Sequence, residues 1–160
     1  MKRQLRLSVV DRRDVLLGAV GAAAFASLLA VGGRASAQAD PPSAADWLKT
    51  IQGDAKPIEG KINLDLPEIA ENGNTVPFSL SVESPMTDND HVKAIHVVST
   101  GNPRPEIATF LLTPQSGKAA VSSRMRLGKT QDIIVVAEMS DGKFYMGKRA
   151  VKVTIGGCGG

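Results

Sequence analysis

The sequence contains one cysteine, Cys158, set within Gly156-Gly157-Cys158-Gly159-Gly160. A cysteine that works as a catalyst usually has its thiol pKa lowered by a cation, a histidine or a helix N-terminus. The pentapeptide supplies none of these, and a carboxylate two residues on disfavours the thiolate. Cys158 is therefore ill suited to act as a self-sufficient nucleophile. It suits a handle that other active sites load and unload. Glycine has no side chain to bury and the largest backbone freedom to lose, so Gly156, Gly157, Gly159 and Gly160 are expected to form a flexible arm around the thiol. At about 3.3–3.6 Å per residue, such an arm carries Cys158 roughly 10 Å beyond Ile155.

The arm needs a rigid root. Val151-Lys152-Val153-Thr154-Ile155 alternates apolar and polar residues, the pattern of a half-buried strand. The same period of two begins near Lys61. Ile62, Leu64 and Leu66 alternate with Asn63 and Asp65, and Phe78, Leu80 and Val82 with Ser79, Ser81 and Glu83. Further strands are expected at 93–99, 107–113, 120–127, 144–146 and 150–155. The run 133–137 is continuously apolar, as in a central strand covered on both faces. Turn residues separate these segments at Asn72-Gly73-Asn74, at 87–90, at 102–105, at 114–117 and at Asp141-Gly142, the last a two-residue hairpin turn. Ahead of the strands, Ser43 and Asp46 form a capping-box pair before Trp47, Leu48 and Ile51, which predicts a short helix over 43–52. These elements predict an all-β fold, an antiparallel sandwich of immunoglobulin-like architecture, with a short N-terminal helix and a C-terminal arm.

The N-terminus carries a second message. Arg12-Arg13, the uncharged apolar run 15–31 and Ala35-Ser36-Ala37 follow the order of an export signal. The apolar run is short for a membrane span, and the arginine pair points to the twin-arginine route and a periplasmic location. Cleavage after Ala37 removes six of the 19 basic and two of the 16 acidic residues, leaving 13 and 14, a net charge near −1. No basic stripe remains for nucleic acid, and aromatic residues for base stacking are few. The expected organisation is 1–37 signal, 38–60 helix-bearing segment, 61–155 sandwich and 156–160 arm, with no membrane attachment after cleavage. A lone cysteine in an oxidising compartment either joins another chain or stays free for chemistry.

Other signals are weaker. Gly128-Lys129-Thr130 echoes a phosphate-binding loop but lacks the earlier glycine, since position 123 is serine. His91 and His96 are read as surface residues without metal-ligand spacing. Met86, Met125, Met139 and Met146 are read as core filling. No metal site, cofactor site or catalytic set is expected.

The terminal Gly-Gly-Cys-Gly-Gly behind a Val-x-Val-x-Ile strand resembles the SoxY family, the thiosulfate carriers of the Sox sulfur-oxidation system. The resemblance runs through VPFSLSVESPMTDNDHVKAIHVVSTGNPRPEIATFLLTPQSG and SSRMRLGKTQDIIVVAEMSDGKFY. It implies an immunoglobulin-like sandwich that pairs with a second small β-sandwich subunit, SoxZ, as a heterodimer. It implies that Cys158 is the covalent attachment point for thiosulfate-derived sulfur, and that the chain is no enzyme and binds no cofactor. Separate enzymes would act on the carried group: a haem enzyme that loads it, a sulfate thiohydrolase and a sulfane dehydrogenase. The alternative is an exported interaction module that forms an intermolecular disulfide, such as a homodimer, through Cys158. A third reading, a metal-binding protein using Met and His, is the weakest.

Overall fold

The structure is a computed structural model that describes residues 42–157. The export-signal segment lies outside the described residues, as do Cys158, Gly159 and Gly160.

One α-helix, α1 (Ala44–Gln52), opens the described chain, and a short 3-10 helix spans Pro114–Ser116. The Ser43 hydroxyl accepts from the Asp46 N–H, and the Asp46 carboxylate accepts from the Ser43 N–H, so the capping box closes in both directions. Nine strands follow: β1 (Ile58–Glu59), β2 (Ile62–Asp65), β3 (Ile69–Asn72), β4 (Val76–Val82), β5 (Val92–Ser99), β6 (Glu106–Leu111), β7 (Ala120–Met125), β8 (Gln131–Met139) and β9 (Phe144–Ile155). They form two sheets. The larger has the order β1-β9-β8-β5-β6, with β3 also paired to β9, and the smaller is β2-β4-β7.

The core lies between the sheets. β4 alternates strictly, with Val76, Phe78, Leu80 and Val82 buried. They meet Ile95 and Val97 of β5, Ile133, Val135 and Ala137 of β8, and Val151 of β9. The other face of β8 is also covered. Ile134 and Val136, with Val98, pack beneath Trp47, Leu48 and Ile51 of α1. This is why 133–137 is apolar at every position. Met86, Met125 and Met139 are all buried.

The all-β sandwich expected from the sequence is present, with three differences. The pairing is not wholly antiparallel, because β1 and β3 both run parallel to β9. The segments 144–146 and 150–155 are one strand. Gly147 bridges them, since a side chain there would press within 3.1 Å of Ile62. The β8–β9 hairpin turns through Ser140, Asp141 and Gly142, one residue more than expected, with Gly142 at φ 80°. A glycine in that left-handed position is the usual way to close a three-residue turn.

Candidate functional site

Cys158 follows Gly157, so the site is built on what holds Gly157. The end of β9 is held by the β3–β4 turn and the β7–β8 loop, and the β7–β8 loop is braced in turn by the β5–β6 loop. The register brings them together. Asn72 lies opposite Ile155, Gln131 opposite Val151, Ser99 opposite Ile133, and Val76 opposite Met125.

Within this end, a chain of backbone hydrogen bonds passes from loop to loop. Gly73 N–H donates to Ile155 O at 2.7 Å, Leu127 N–H to Gly73 O at 2.8 Å, and Gly157 N–H to Leu127 O at 3.0 Å. Gly157 and Gly73 are both buried. The packing leaves no room for a side chain. A methyl on Gly157 would stand 2.8 Å from Gly73 O, and one on Gly73 would stand 2.7 Å from Gly157 N. One on Gly156 would collide with Gly128 O. The sequence placed Gly156 and Gly157 in the flexible arm. In the structure Gly157 N–H is bonded to Leu127 O and Gly156 lies against Gly128. Their glycine identity serves close approach. None of Gly73, Gly128, Gly156 and Gly157 needs the left-handed region.

Side chains brace the β7–β8 loop from the far side. Asn102 donates through Nδ2 to Arg126 O at 2.8 Å, and its Oδ1 accepts from Gly128 N–H at 3.0 Å and from Gln131 Nε2 at 2.8 Å. Gln131, itself buried, accepts from Gly101 N–H at 2.7 Å and donates to Lys129 O at 3.1 Å. Thr130 Oγ accepts from Val153 N–H at 3.0 Å, tying the same loop to β9. The Asn74 N–H donates to Asn72 Oδ1 at 2.9 Å, which fixes the β3–β4 turn. Gly128-Lys129-Thr130 is therefore part of a strand–turn–strand. Sequence reading missed this role for Gly73 and Asn102, which appear in it only as turn residues, for Gly128, which appears only in the phosphate-loop echo, and for Gln131, which it does not single out.

The histidines lie elsewhere. His91 donates through Nδ1 to Thr87 O at 3.1 Å. His96 is only partly exposed. It is half-buried beneath α1, its ring 5.8 Å from that of Trp47 and its Nδ1 3.0 Å from Thr109 Oγ. Burial lowers its pKa, against the opposing pull of Glu138 and Glu106. Among the described residues, no group of three or more His, Cys, Asp or Glu could hold a metal ion.

The family model of the sulfur oxidation protein SoxY matches residues 48–158, up to and including the cysteine. The chain belongs to the SoxY family. The sulfur carrier protein SoxY from Chlorobium limicola f thiosulfatophilum is 35% identical, with a TM-score of 0.59 over 69% of this chain and 96% of that one. A superoxide reductase (neelaredoxin) from Ignicoccus hospitalis aligns with a TM-score of 0.53 over 59% of this chain and 80% of that one. At 14% identity that likeness is one of fold alone. No curated protein matches.

Proposed function

We propose that this chain carries thiosulfate-derived sulfur covalently on Cys158 and presents it to separate enzymes of the Sox system. As a SoxY family member it is a carrier and not an enzyme. The observation that carries the reading is that the family match extends to Cys158, the sole cysteine, on the segment rooted in β9. The chemistry balances without a catalyst in this chain. The Cys158 thiol and the sulfane end of thiosulfate form an S–S bond, releasing a proton and two electrons that the loading haem enzyme takes up. Water then cleaves the bond to the sulfonate group. Hydrogen sulfate leaves and a persulfide stays on Cys158 for a sulfane dehydrogenase. Residues 1–37 serve as the twin-arginine signal that delivers the protein to the periplasm. Among the described residues no helix is long and apolar enough to cross a membrane. A SoxZ-like subunit completes the working heterodimer.

The test is the intact mass of the protein from thiosulfate-exposed cells, with and without reductant, followed by C-terminal peptide mapping. A reductant-labile sulfur or thiosulfate adduct on Cys158 is expected, and Cys158→Ser should fold normally while thiosulfate turnover disappears. A bare thiol, or only a Cys158-linked dimer, during active sulfur oxidation would favour the interaction-module reading instead.

A further inference from the structure

The seated root limits what can reach the cysteine. Gly157 is buried with its N–H committed to Leu127 O, so the chain is held as far as the residue before the cysteine. Successive Cα atoms are 3.8 Å apart, and a cysteine side chain extends the sulfur to roughly 6 Å from the Cα of the preceding residue. An enzyme that closes on that sulfur must also touch the loops around Gly157.

Those loops have a distinct charge. Residues 72–75, 100–105 and 126–130 hold Arg104, Arg126 and Lys129, and no aspartate or glutamate. None of the three cations is in an ion pair among the described residues, where the pairs are Lys93–Glu138, Lys143–Asp141 and Lys148–Asp132. Acids on the flanking strands are Glu71 of β3, Glu106 of β6, which lines the same hollow as Arg104, and Asp132 of β8, which is already bound to Lys148 at 2.7 Å. The loops at the opposite end carry both signs, Glu83, Asp88, Asp90 and Asp141 with Lys118 and Lys143, and Asp141 is bound to Lys143. Arg126 and Lys129 flank Leu127, the residue that holds Gly157, and both of their carbonyls are fixed by the Asn102–Gln131 brace.

We propose that this cationic collar is the docking face for the enzymes that act on the sulfur of Cys158, and that they meet it with an acid-lined rim around the active-site mouth. The inference rests on the carrier reading of Cys158. Charges at the rim of an interface act chiefly on encounter and on rejecting wrong partners, and salt screens them.

The experiment uses the full chain with its partner subunit and the purified loading enzyme, at several ionic strengths. The paired substitution Arg126→Glu and Lys129→Glu should raise KM for the carrier by about 10-fold at low salt with kcat unchanged, and should flatten the salt dependence. The rate at which a small aromatic disulfide modifies Cys158 should stay within about 2-fold, because that reagent needs no docking. The control Asp88→Lys with Asp90→Lys, at the other end, should leave KM unchanged. An unchanged KM and salt dependence in the collar variant overturns the proposal, and so does an equal effect from the control. Wild-type protein that never acquires an adduct on Cys158 overturns the carrier reading itself, and the docking face with it.

Discussion

A methyl group on Gly73 should unseat the root of the arm from a position outside the arm. The Cβ of Gly73→Ala would stand 2.7 Å from Gly157 N and closer still to Leu127 O, whereas ordinary contact begins at 3.4 Å. The neighbours must therefore give by at least about 0.7 Å, the difference between those distances. The Gly157–Leu127 bond is already 3.0 Å long, so a shift of that size takes it past the usual limit of about 3.2 Å. The Leu127–Gly73 bond is exposed to the same displacement. Two backbone bonds at about 0.5–1.5 kcal/mol each, with a buried carbonyl left short of a partner, put the cost at about 2–3 kcal/mol. For a domain of this size that lowers Tm by about 10 °C. Gly73 is not in the left-handed region, so the loss arises from contact and not from backbone strain. The assay is thermal unfolding together with hydrogen exchange at the Gly157 amide. Expected are the fall in Tm and much faster exchange at Gly157. A Tm within about 2 °C of wild type, with the Gly157 amide still protected, would show that the glycines are not held together as described.

Three further outcomes follow from the same packing. Asn102→Ala removes three bonds from the β7–β8 loop and should cost about 2 kcal/mol in chemical denaturation; an unchanged midpoint would mean the brace does nothing. Trp47→Ala strips the side chain of α1 that covers Val98 and Val136, and should cost about 2 kcal/mol because the indole is only half-buried. His96 should titrate below its ordinary 6.5, because burial disfavours its charged form. The unfolded chain then binds the proton more readily, so stability is full above about pH 6.5 and is lost as the pH falls toward the lowered value. The single tryptophan, Trp47, stands beside His96, so its fluorescence should report this titration. A midpoint at or above 6.5, or a pH profile of stability unaltered by His96→Gln, would contradict the burial account.

Elements with a local signature were legible in the sequence. The Ser43–Asp46 box and the spacing of Trp47, Leu48 and Ile51 specify α1. β4 has its alternation and β8 its unbroken apolar run. β3 was not legible, because among its four residues only Ala70 is buried, and its partner is a parallel strand far along the chain. The continuity of β9 was hidden by the exposed run Lys148-Arg149-Ala150 beside Gly147. His96 looked like a surface residue because the helix that covers it is supplied by a distant segment. The close approach of the glycines was not legible for a physical reason. In a sequence, glycine reads as conformational freedom, whereas close backbone approach depends on neighbours that only the fold supplies. Gly73 and Gly128 lie far from Gly157 in the chain and meet it only through register. Arg126 and Lys129 were visible as basic residues, but their place beside the arm comes from topology.

The length and pairing of β9 bear on what happens when an active site draws the cysteine in. β9 pairs with β8 from Phe144 to Val151, with β1 near Tyr145 and with β3 from Lys152 to Ile155. Traction directed along the axis of this strand is borne by the pairs on either side of it. It loads the flanking ladders in shear, many bonds together, where a terminal strand pulled sideways would unzip them one at a time.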